Sequence, residues 1–175
     1  MNKLQHLKKI KYILLPILIF ILLYRQGPIW LNNLQTRGEV IDQVEVSYLI
    51  NSDSETFERF LFPDKDKKTI LIVWVSWCPA CHVEMKRFQS AIESEKIDAS
   101  AIYAINPFEP QTDARNFLSN NNYDFVFIND YAQIAQQLDI QATPTIIHLD
   151  GNKVRYMATG ISPTAIWRAQ SFLGN

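Results

Sequence analysis

The residues best suited to chemistry are the only two cysteines of the 175-residue chain, Cys78 and Cys81, which are separated by two residues. An apolar, β-branched run, residues 69–77, precedes Cys78, and a segment compatible with a helix, residues 83–88, follows Cys81. A strand, a C-x-x-C pair and a helix in this order are typical of a redox dithiol. A structural zinc site usually needs four ligands, and the chain has no second cysteine pair and only three histidines. The spacing therefore favours thiol–disulfide chemistry over a metal site.

The two cysteines are expected to have different roles. A helix that begins just after Cys78 would stabilise the thiolate of that residue through its dipole and its free backbone N–H groups. We therefore assign Cys78 as the attacking thiolate and Cys81 as the resolving thiol, which breaks the mixed disulfide. Pro79 and Ala80 set the geometry of the helix start, where proline is tolerated although it removes one N–H donor. An inert pair of buried thiols is the plain alternative.

Three neighbours of the dithiol are candidate contributors. Trp77 is expected to form an apolar rim beside Cys78, with stacking on a substrate as a more specific alternative. Glu84 lies three residues beyond Cys81 and could accept a proton through water, although a solvated position on the helix is the simpler interpretation. His82 could modulate the thiols.

His82 also completes a C-x-x-C-H string, the attachment signature of c-type haem. The β-branched strand that leads into the motif argues against a cytochrome. A c-type cytochrome would also need a sixth iron ligand such as a methionine. Met85 is too close in sequence to reach the opposite haem face, which leaves only Met157 and His148, both on predicted strands.

Strand and helix patterns alternate along the body of the chain, which predicts an α/β fold with a mixed central sheet flanked by helices. A hairpin is predicted around residues 150–152. The predicted strands are 44–48, 70–75, 99–105, 125–128, 145–149 and 154–158. The predicted helices are 52–62, a helix from the dithiol to about residue 94, 112–120, 131–138 and a last helix that begins at Ser162-Pro163.

Charge is unevenly distributed between the N-terminal leader and the body. The first 35 residues contain five basic and no acidic side chains, whereas residues 36–175 carry a net charge of about −6. An acidic body argues against a nucleic-acid partner. With 47% hydrophobic residues, the chain can bury the core of one ordinary domain.

The leader predicts a membrane anchor. Residues 1–11 form a basic tail expected in the cytoplasm, and the uncharged stretch that follows has the length of a signal-peptide core. No small-x-small cleavage site follows it, and if Arg25 snorkels, the apolar segment extends past Trp30 at the interface. We predict a transmembrane signal anchor over residues 12–31, a linker over 32–43 and a folded domain over 44–175. A cleaved signal peptide is the alternative.

Several motifs together resemble the thioredoxin fold. Trp77-Cys78-x-x-Cys81 opens the first long helix, Thr143-Pro144-Thr145 precedes the hairpin, and Gly160 follows the last strand. The resemblance implies a cis peptide before Pro144 that leaves the Thr143 backbone facing the dithiol, free to pair with a substrate strand. An ordinary trans turn is the alternative.

The spacing within this resemblance points to a subgroup. Cys81 and Pro144 are farther apart than in plain thioredoxin, and residues 106–129 look like the insertion of the membrane-anchored TlpA and ResA reductases. Residues 127–130 together with 142–145 are similar to the suppressor-of-copper-sensitivity D (ScsD) group. Two positions depart from the family: Ile72 replaces a buried acid, which leaves the general base open, and Lys86 replaces a helix-kinking proline.

The resemblance implies a single-pass thiol–disulfide oxidoreductase, anchored in the bacterial inner membrane with its thioredoxin-like domain in the periplasm. Disulfides persist outside the cytoplasm, as this chemistry requires. Reduction of selected protein disulfides is favoured, and a reductase needs a membrane electron donor of the DsbD or CcdA type. No cofactor beyond the redox-active disulfide is required. A periplasmic disulfide oxidant, a c-type haem electron carrier and a non-catalytic thiol chaperone remain as alternatives.

Overall fold

A seven-stranded mixed β-sheet organises the computed structural model, which describes residues 3–49 and 59–174. Helices cover both faces of this sheet. The helices are α1 (Lys3–Gln35), α2 (Pro79–Glu93), α3 (Gln111–Ser119), α4 (Gln133–Gln137) and α5 (Ala165–Leu173), with one turn of 3-10 helix at Ala99–Ala101. The strands are β1 (Val44–Tyr48), β2 (Arg59–Phe62), β3 (Lys68–Val73), β4 (Ile102–Ile105), β5 (Val126–Asn129), β6 (Thr145–Asp150) and β7 (Lys153–Thr159).

The strand order β2-β1-β5-β4-β3-β6-β7 places β3 near the middle, parallel to β4 and antiparallel to β6. At one end of the sheet, Val73 pairs with Thr145, and Thr145 pairs with Thr159. We call this the upper end. At the opposite, lower end, Asp150 pairs with both Lys68 and Lys153. The exit of β3, the start of β6 and the exit of β7 therefore meet at the upper end.

The sequence of β3 explains its central place. Residues 70–73 are fully buried, as expected for an uninterrupted apolar run that is covered on both faces. Ile70 and Ile72 contact a cluster with Phe88 of α2, whereas Leu71 and Val73 contact a second cluster on the other face. Burial of each such side chain stabilises the fold by roughly 1.5–3 kcal/mol, which makes β3 a rigid support for the residues that follow it.

The predicted α/β fold with a mixed sheet is confirmed, and β1 and the β6–β7 hairpin lie where the sequence placed them. Other boundaries differ by a few residues. The 3-10 turn occupies the start of the strand predicted over 99–105. The last helix begins at Ala165, so Pro163 lies in the turn before it.

The helix predicted over 52–62 is wrong at its C-terminal end, because Arg59–Phe62 forms β2, paired antiparallel with β1. The rest of that prediction, residues 52–58, lies outside the described residues. Phe62 is buried whereas Leu61 is 59% exposed, so these apolar residues alternate in a strand pattern. Over four residues, pairing with β1 outweighs the weak helical periodicity on which the prediction relied.

Residues 32–43, predicted as a linker, are packed on the domain. Helix α1 continues to Gln35, and the Asn32 side-chain amide donates to the carbonyl oxygens of Leu138 (3.2 Å) and Asp139 (3.1 Å). The next residues run along β7, where the Gly38 N–H donates to the Val154 carbonyl at 2.7 Å.

Among the described residues, no single helix combines the length and the apolar composition needed to cross a membrane. Two parts of α1, Leu14–Ile21 and Gln26–Gln35, meet these criteria together but are bent by 42° relative to each other. The bend lies about one turn before Pro28, which has no N–H to donate to the Tyr24 carbonyl. The signal anchor over residues 12–31 stays a prediction.

Candidate active site

The dithiol lies at the upper end of the sheet, where the chain passes from β3 into α2. Cys78 is the N-cap of α2 with an extended backbone, and Pro79 opens the helix. The Cys78 carbonyl accepts hydrogen bonds from the N–H groups of Cys81 (3.0 Å) and His82 (3.2 Å). Cys78 therefore stands at the positive end of the helix dipole, where a thiolate is favoured.

The two cysteines, joined in a disulfide, differ in their access to solvent. Cys78 is 7% exposed and Cys81 is fully buried. The Cys81 N–H donates to Cys78 Sγ at 3.1 Å, and after reduction the same group can stabilise a thiolate on Cys78. Cys78 is therefore the more accessible of the two sulfurs.

The Thr143–Pro144 loop lies directly beside Cys78. The peptide bond between these two residues is cis, as the resemblance to thioredoxin implies. The Thr143 carbonyl oxygen is 3.8 Å from Cys78 Sγ. The Pro144 carbonyl accepts a hydrogen bond of 2.7 Å from the N–H of Gly160, whose φ of +89° suits glycine. This bond holds the loop to the end of β7.

Trp77 and Ala80 lie on either side of Cys78 in the sequence. Trp77 is 70% exposed beside Cys78, as expected of an apolar rim, and Ala80 packs at the edge of the core cluster. Two cavities of about 240 and 680 Å³ lie elsewhere: Lys86 and Tyr123 line the smaller, and Phe60 and Tyr103 the larger.

His82 supports the loop before the dithiol. Its Nε2 atom lies 2.6 Å from the Ser76 carbonyl oxygen, and its ring stacks on Phe117 with centroids 4.6 Å apart. Attachment of c-type haem would require Nε2 of this histidine to face the iron. These contacts commit both Nε2 and the ring face to the protein, so His82 does not fit the role of a haem ligand.

Glu84 is fully buried, so the simpler interpretation of a solvated helical residue is wrong. Positions three apart share a helix face, which places Glu84 next to Cys81 along the buried side of α2. The carboxylate accepts a 2.6 Å hydrogen bond from Arg87, and its second oxygen makes no hydrogen bond of standard geometry within the described residues. The helix buries this charge because Arg87 neutralises it.

Arg87 connects Glu84 to the far end of the chain. Its guanidinium also donates to the carbonyl oxygens of Ser162 (2.8 Å) and Pro163 (3.1 Å), just before α5. Burial raises the pKa of the Glu84 carboxyl above its usual range, and the Arg87 charge and hydrogen bond together with the Ser162 backbone lower it only in part.

Sequence reasoning missed Glu109, which fixes the loop between β3 and the dithiol. Its carboxylate accepts hydrogen bonds from the Ser76 N–H (2.9 Å) and the Ser76 hydroxyl (2.8 Å), and a further one from the side chain of Asn106. Since Ser76 and Glu109 are 33 residues apart, no local pattern could have revealed the pair.

The sequence matches the redoxin family over residues 47–171. It is 31% identical to a thioredoxin-like protein of Haemophilus influenzae over 106 residues, 59% of this chain and 60% of that protein. It is 29% identical to sporulation thiol-disulfide oxidoreductase A of Bacillus subtilis over 92 residues, 50% of this chain and 56% of that protein. The chain thus spans less than two thirds of the length of these relatives.

The fold agrees with this relationship. The crystal structure of StoA from Bacillus subtilis superimposes with a TM-score of 0.57 at 23% identity, covering 73% of this chain and 95% of that one. The predicted thioredoxin-like fold is therefore confirmed. One of these relatives, sporulation thiol-disulfide oxidoreductase A, is named for the enzyme class that the sequence predicts here. With the matched region reaching from the end of β1 into α5 and including Cys78 and Cys81, the chain belongs to the redoxin family.

Proposed function

We propose that this protein is a membrane-anchored thiol–disulfide oxidoreductase that reduces selected protein disulfides in the periplasm. The observation that carries the proposal is the asymmetry of the dithiol. Cys78 opens α2 beside the Thr143 carbonyl at the surface, whereas Cys81 is sealed beneath it. This arrangement favours attack by one sulfur and intramolecular release by the other.

In the proposed reaction, the Cys78 thiolate attacks one sulfur of a substrate disulfide. The substrate S–S bond breaks, its second sulfur leaves as a thiolate and takes up a proton, and a mixed disulfide remains. Cys81 then loses its proton and attacks Cys78 Sγ, which releases the other substrate sulfur as a thiolate. Two electrons pass to the substrate, and the enzyme ends with the Cys78–Cys81 disulfide.

Glu84 is the proposed acceptor of the Cys81 proton. It shares the buried face of α2 with Cys81, and one carboxylate oxygen has a lone pair free of hydrogen bonds of standard geometry from the described residues. Burial raises the pKa of this carboxyl above its usual range, which makes it a stronger base than an exposed carboxylate. A water molecule would complete the path between the two side chains.

The proposal also includes the attachment of the protein to the membrane and the source of its electrons. Large apolar side chains of α1, among them Leu15, Phe20 and Leu23, are 55–70% exposed, which is unfavourable in water and suits a lipid environment. Together with the basic tail, they support an anchor over residues 12–31 in the bacterial inner membrane. A reductase there needs electrons from a membrane donor of the DsbD or CcdA type. Membership of the TlpA/ResA branch and of the ScsD group is part of the same proposal.

Trapping of the mixed disulfide tests the chemistry. The full-length Cys81→Ser variant should accumulate a covalent adduct with a disulfide-bonded protein such as insulin, and the Cys78→Ser variant should not. Equal trapping by both variants would contradict the assigned roles. Activity that survives in the Cys78→Ser variant would instead indicate a non-catalytic thiol chaperone.

The reduction potential tests the direction. Equilibration against a thiol buffer should give a value near the thioredoxin end of the range, about −270 mV, for a reductase. A value near −120 mV would identify a periplasmic oxidant that donates its disulfide, and the direction proposed here would be reversed.

A further inference from the structure

The last turns of α1 are docked against the upper end of the sheet, next to the dithiol. Asn33 Oδ1 lies 3.2 Å from the hydroxyl of Thr159, and that hydroxyl lies 2.9 Å from the hydroxyl of Thr145. Thr145 follows the Thr143–Pro144 loop, whose carbonyl oxygen faces Cys78. Two successive contacts and one peptide bond therefore connect the end of α1 with the catalytic loop.

The direction of α1 follows from the order of its contacts along β7. Asn33 meets Thr159, and three residues later the Thr36 hydroxyl lies 3.8 Å from Met157 Sδ. The chain then continues to a bridge between Val40 and Lys153. The partner on β7 thus moves towards the lower end of the sheet as the residue number of the contacting chain rises. The two rises are comparable, since a helix advances about 4.5 Å over three residues and a strand about 6.6 Å over two. The chain therefore runs from the upper end of the sheet to the lower end as it leaves α1.

The same order fixes where the preceding part of α1 goes. A helix continued in this direction takes the residues before Asn32 beyond Thr159 and past the upper end of the sheet. Trp30 and Leu31 are 56% and 58% exposed, as expected of a segment that has left the body of the protein. The 42° bend before Pro28 is too small to turn the helix back across the domain.

We infer that the catalytic end of the domain faces the membrane, which places Cys78 within reach of reactive cysteines close to the bilayer surface, such as those of the proposed membrane donor. This inference rests on the proposed anchor over residues 12–31. Asn33, which contacts Thr159, lies only two positions after the end of that anchor, about 3 Å along the helix. The lower end of the sheet would lie about 20 Å farther away, the length of β6.

A partner with two thiols would reduce the Cys78–Cys81 disulfide in two exchange steps. A thiolate of the partner attacks Cys78 Sγ, the Cys78–Cys81 bond breaks, and Cys81 leaves as a thiolate and takes up a proton. The second thiolate of the partner, formed by loss of its proton, attacks the mixed disulfide and releases the Cys78 thiolate. The partner is oxidised to its disulfide and supplies two electrons.

Single-cysteine variants of the full chain can measure this orientation. In a Cys78→Ser/Cys81→Ser background, Ile161→Cys places a thiol near the upper end and Lys65→Cys places one at the lower end. Both positions are exposed, and Lys65 lies against Gly151 of the hairpin turn. The variants are reconstituted in phosphatidylcholine vesicles that contain a maleimide-headgroup phosphatidylethanolamine. Coupling to this lipid is divided by the rate with soluble N-ethylmaleimide, which corrects for intrinsic reactivity.

The ratio of lipid coupling to soluble coupling should be at least tenfold higher for Ile161→Cys than for Lys65→Cys. Equal ratios, or a higher ratio for Lys65→Cys, would overturn the inference. Failure of the unmodified chain to float with vesicles would overturn the anchor and this inference together. Trapping by Cys81→Ser would still report the redox function on its own.

The docking contacts provide a matched comparison. An Asn32→Ala/Asn33→Ala variant is combined with each reporter cysteine. The contrast, meaning the difference in coupling ratio between Ile161→Cys and Lys65→Cys, should then largely disappear because α1 can change its angle to the domain. The control is Gln35→Ala on the same turn, where the side chain is exposed, and it should keep the contrast. A contrast that survives the double substitution would refute the role of the two asparagines in holding the orientation.

Discussion

Replacement of Glu84 by glutamine is the sharpest test of the proposed mechanism. Glutamine has nearly the same shape as glutamate, and its side-chain oxygen can still accept the hydrogen bond from Arg87. What it cannot do is take a proton from Cys81. The neutral side chain also avoids the cost of burying a charge, so we expect the free energy of unfolding to change by no more than about 1 kcal/mol.

The expected kinetic effect is confined to one step. General base catalysis typically contributes 10²–10⁴-fold to a rate. Because a water molecule is expected between Glu84 and Cys81, we place the loss near the lower limit, about 100-fold at pH 7. Attack by Cys78 does not involve this carboxyl and should keep its rate.

A chromogenic aromatic disulfide separates the two steps in one experiment. When the reduced protein is mixed with it, attack by Cys78 releases the first coloured thiolate. Attack by Cys81 on the resulting mixed disulfide then releases the second. In the Glu84→Gln variant the first phase should be unchanged and the second slowed. Glu93→Gln, an exposed position on the same helix, is the matched control and should alter neither phase.

The pH dependence of the second phase tests the role of Glu84 independently. The base must be deprotonated to act, so the second phase in the unmodified protein should accelerate as the pH rises through the pKa of Glu84. Burial raises that pKa, so the rise should lie above the ordinary carboxyl range. The Glu84→Gln variant should lack this rise. A second phase of unchanged rate and unchanged pH dependence would refute the role of Glu84, and equal slowing of both phases would indicate a structural effect.

Two further predictions concern stability. Burial, followed by the charge of Arg168, lowers the pKa of His148 from 6.5 to about 4. Between pH 6.5 and 4, His148 is therefore protonated in the unfolded chain but neutral in the folded chain. Up to about 3 kcal/mol of stability should be lost as the pH falls through this range. Denaturant unfolding at pH 7 and 4.5 should show a smaller loss for His148→Phe, and an equal loss would refute the assignment. Glu109→Gln replaces a charged acceptor at Ser76 by a neutral one and should cost about 1–2 kcal/mol in the same measurement at pH 7. An unchanged unfolding midpoint would show that the loop before the dithiol does not depend on this carboxylate.

The start of α2 and the central strand were predictable because their determinants are local. A run of mostly apolar and β-branched residues marked β3, and the Cys78-Pro79 pair fell where α2 begins. The cis bond before Pro144 followed from a resemblance and not from the residues themselves. The strand Arg59–Phe62 was missed because four residues carry almost no periodicity, and their pairing with β1 is a tertiary interaction.

The surroundings of the dithiol were harder to predict because they join distant parts of the chain. Glu84 looks like an ordinary polar residue of a helix until α5 and its preceding turn cover it. Arg87 then reaches carbonyl oxygens 75 and 76 residues away. The docking of Asn33 on Thr159 spans 126 residues. None of these contacts has a periodic or compositional signature.

The presence of Ile72 in place of the buried acid of the thioredoxin pattern has a physical explanation in this structure. In the thioredoxin pattern an acid on this strand is expected to assist proton transfer, but Ile72 is fully buried in the apolar cluster beneath α2. Glu84 approaches the same resolving cysteine from the helix and not from the sheet. A carboxylate at position 72 would lie in this apolar cluster, whereas Glu84 has Arg87 as a counter-ion anchored to the turn before α5. The proton acceptor of this chain therefore depends on the packing of α5, so loosening that contact with Arg87→Ala should raise the pKa of Glu84 further and shift the pH profile of resolution upwards.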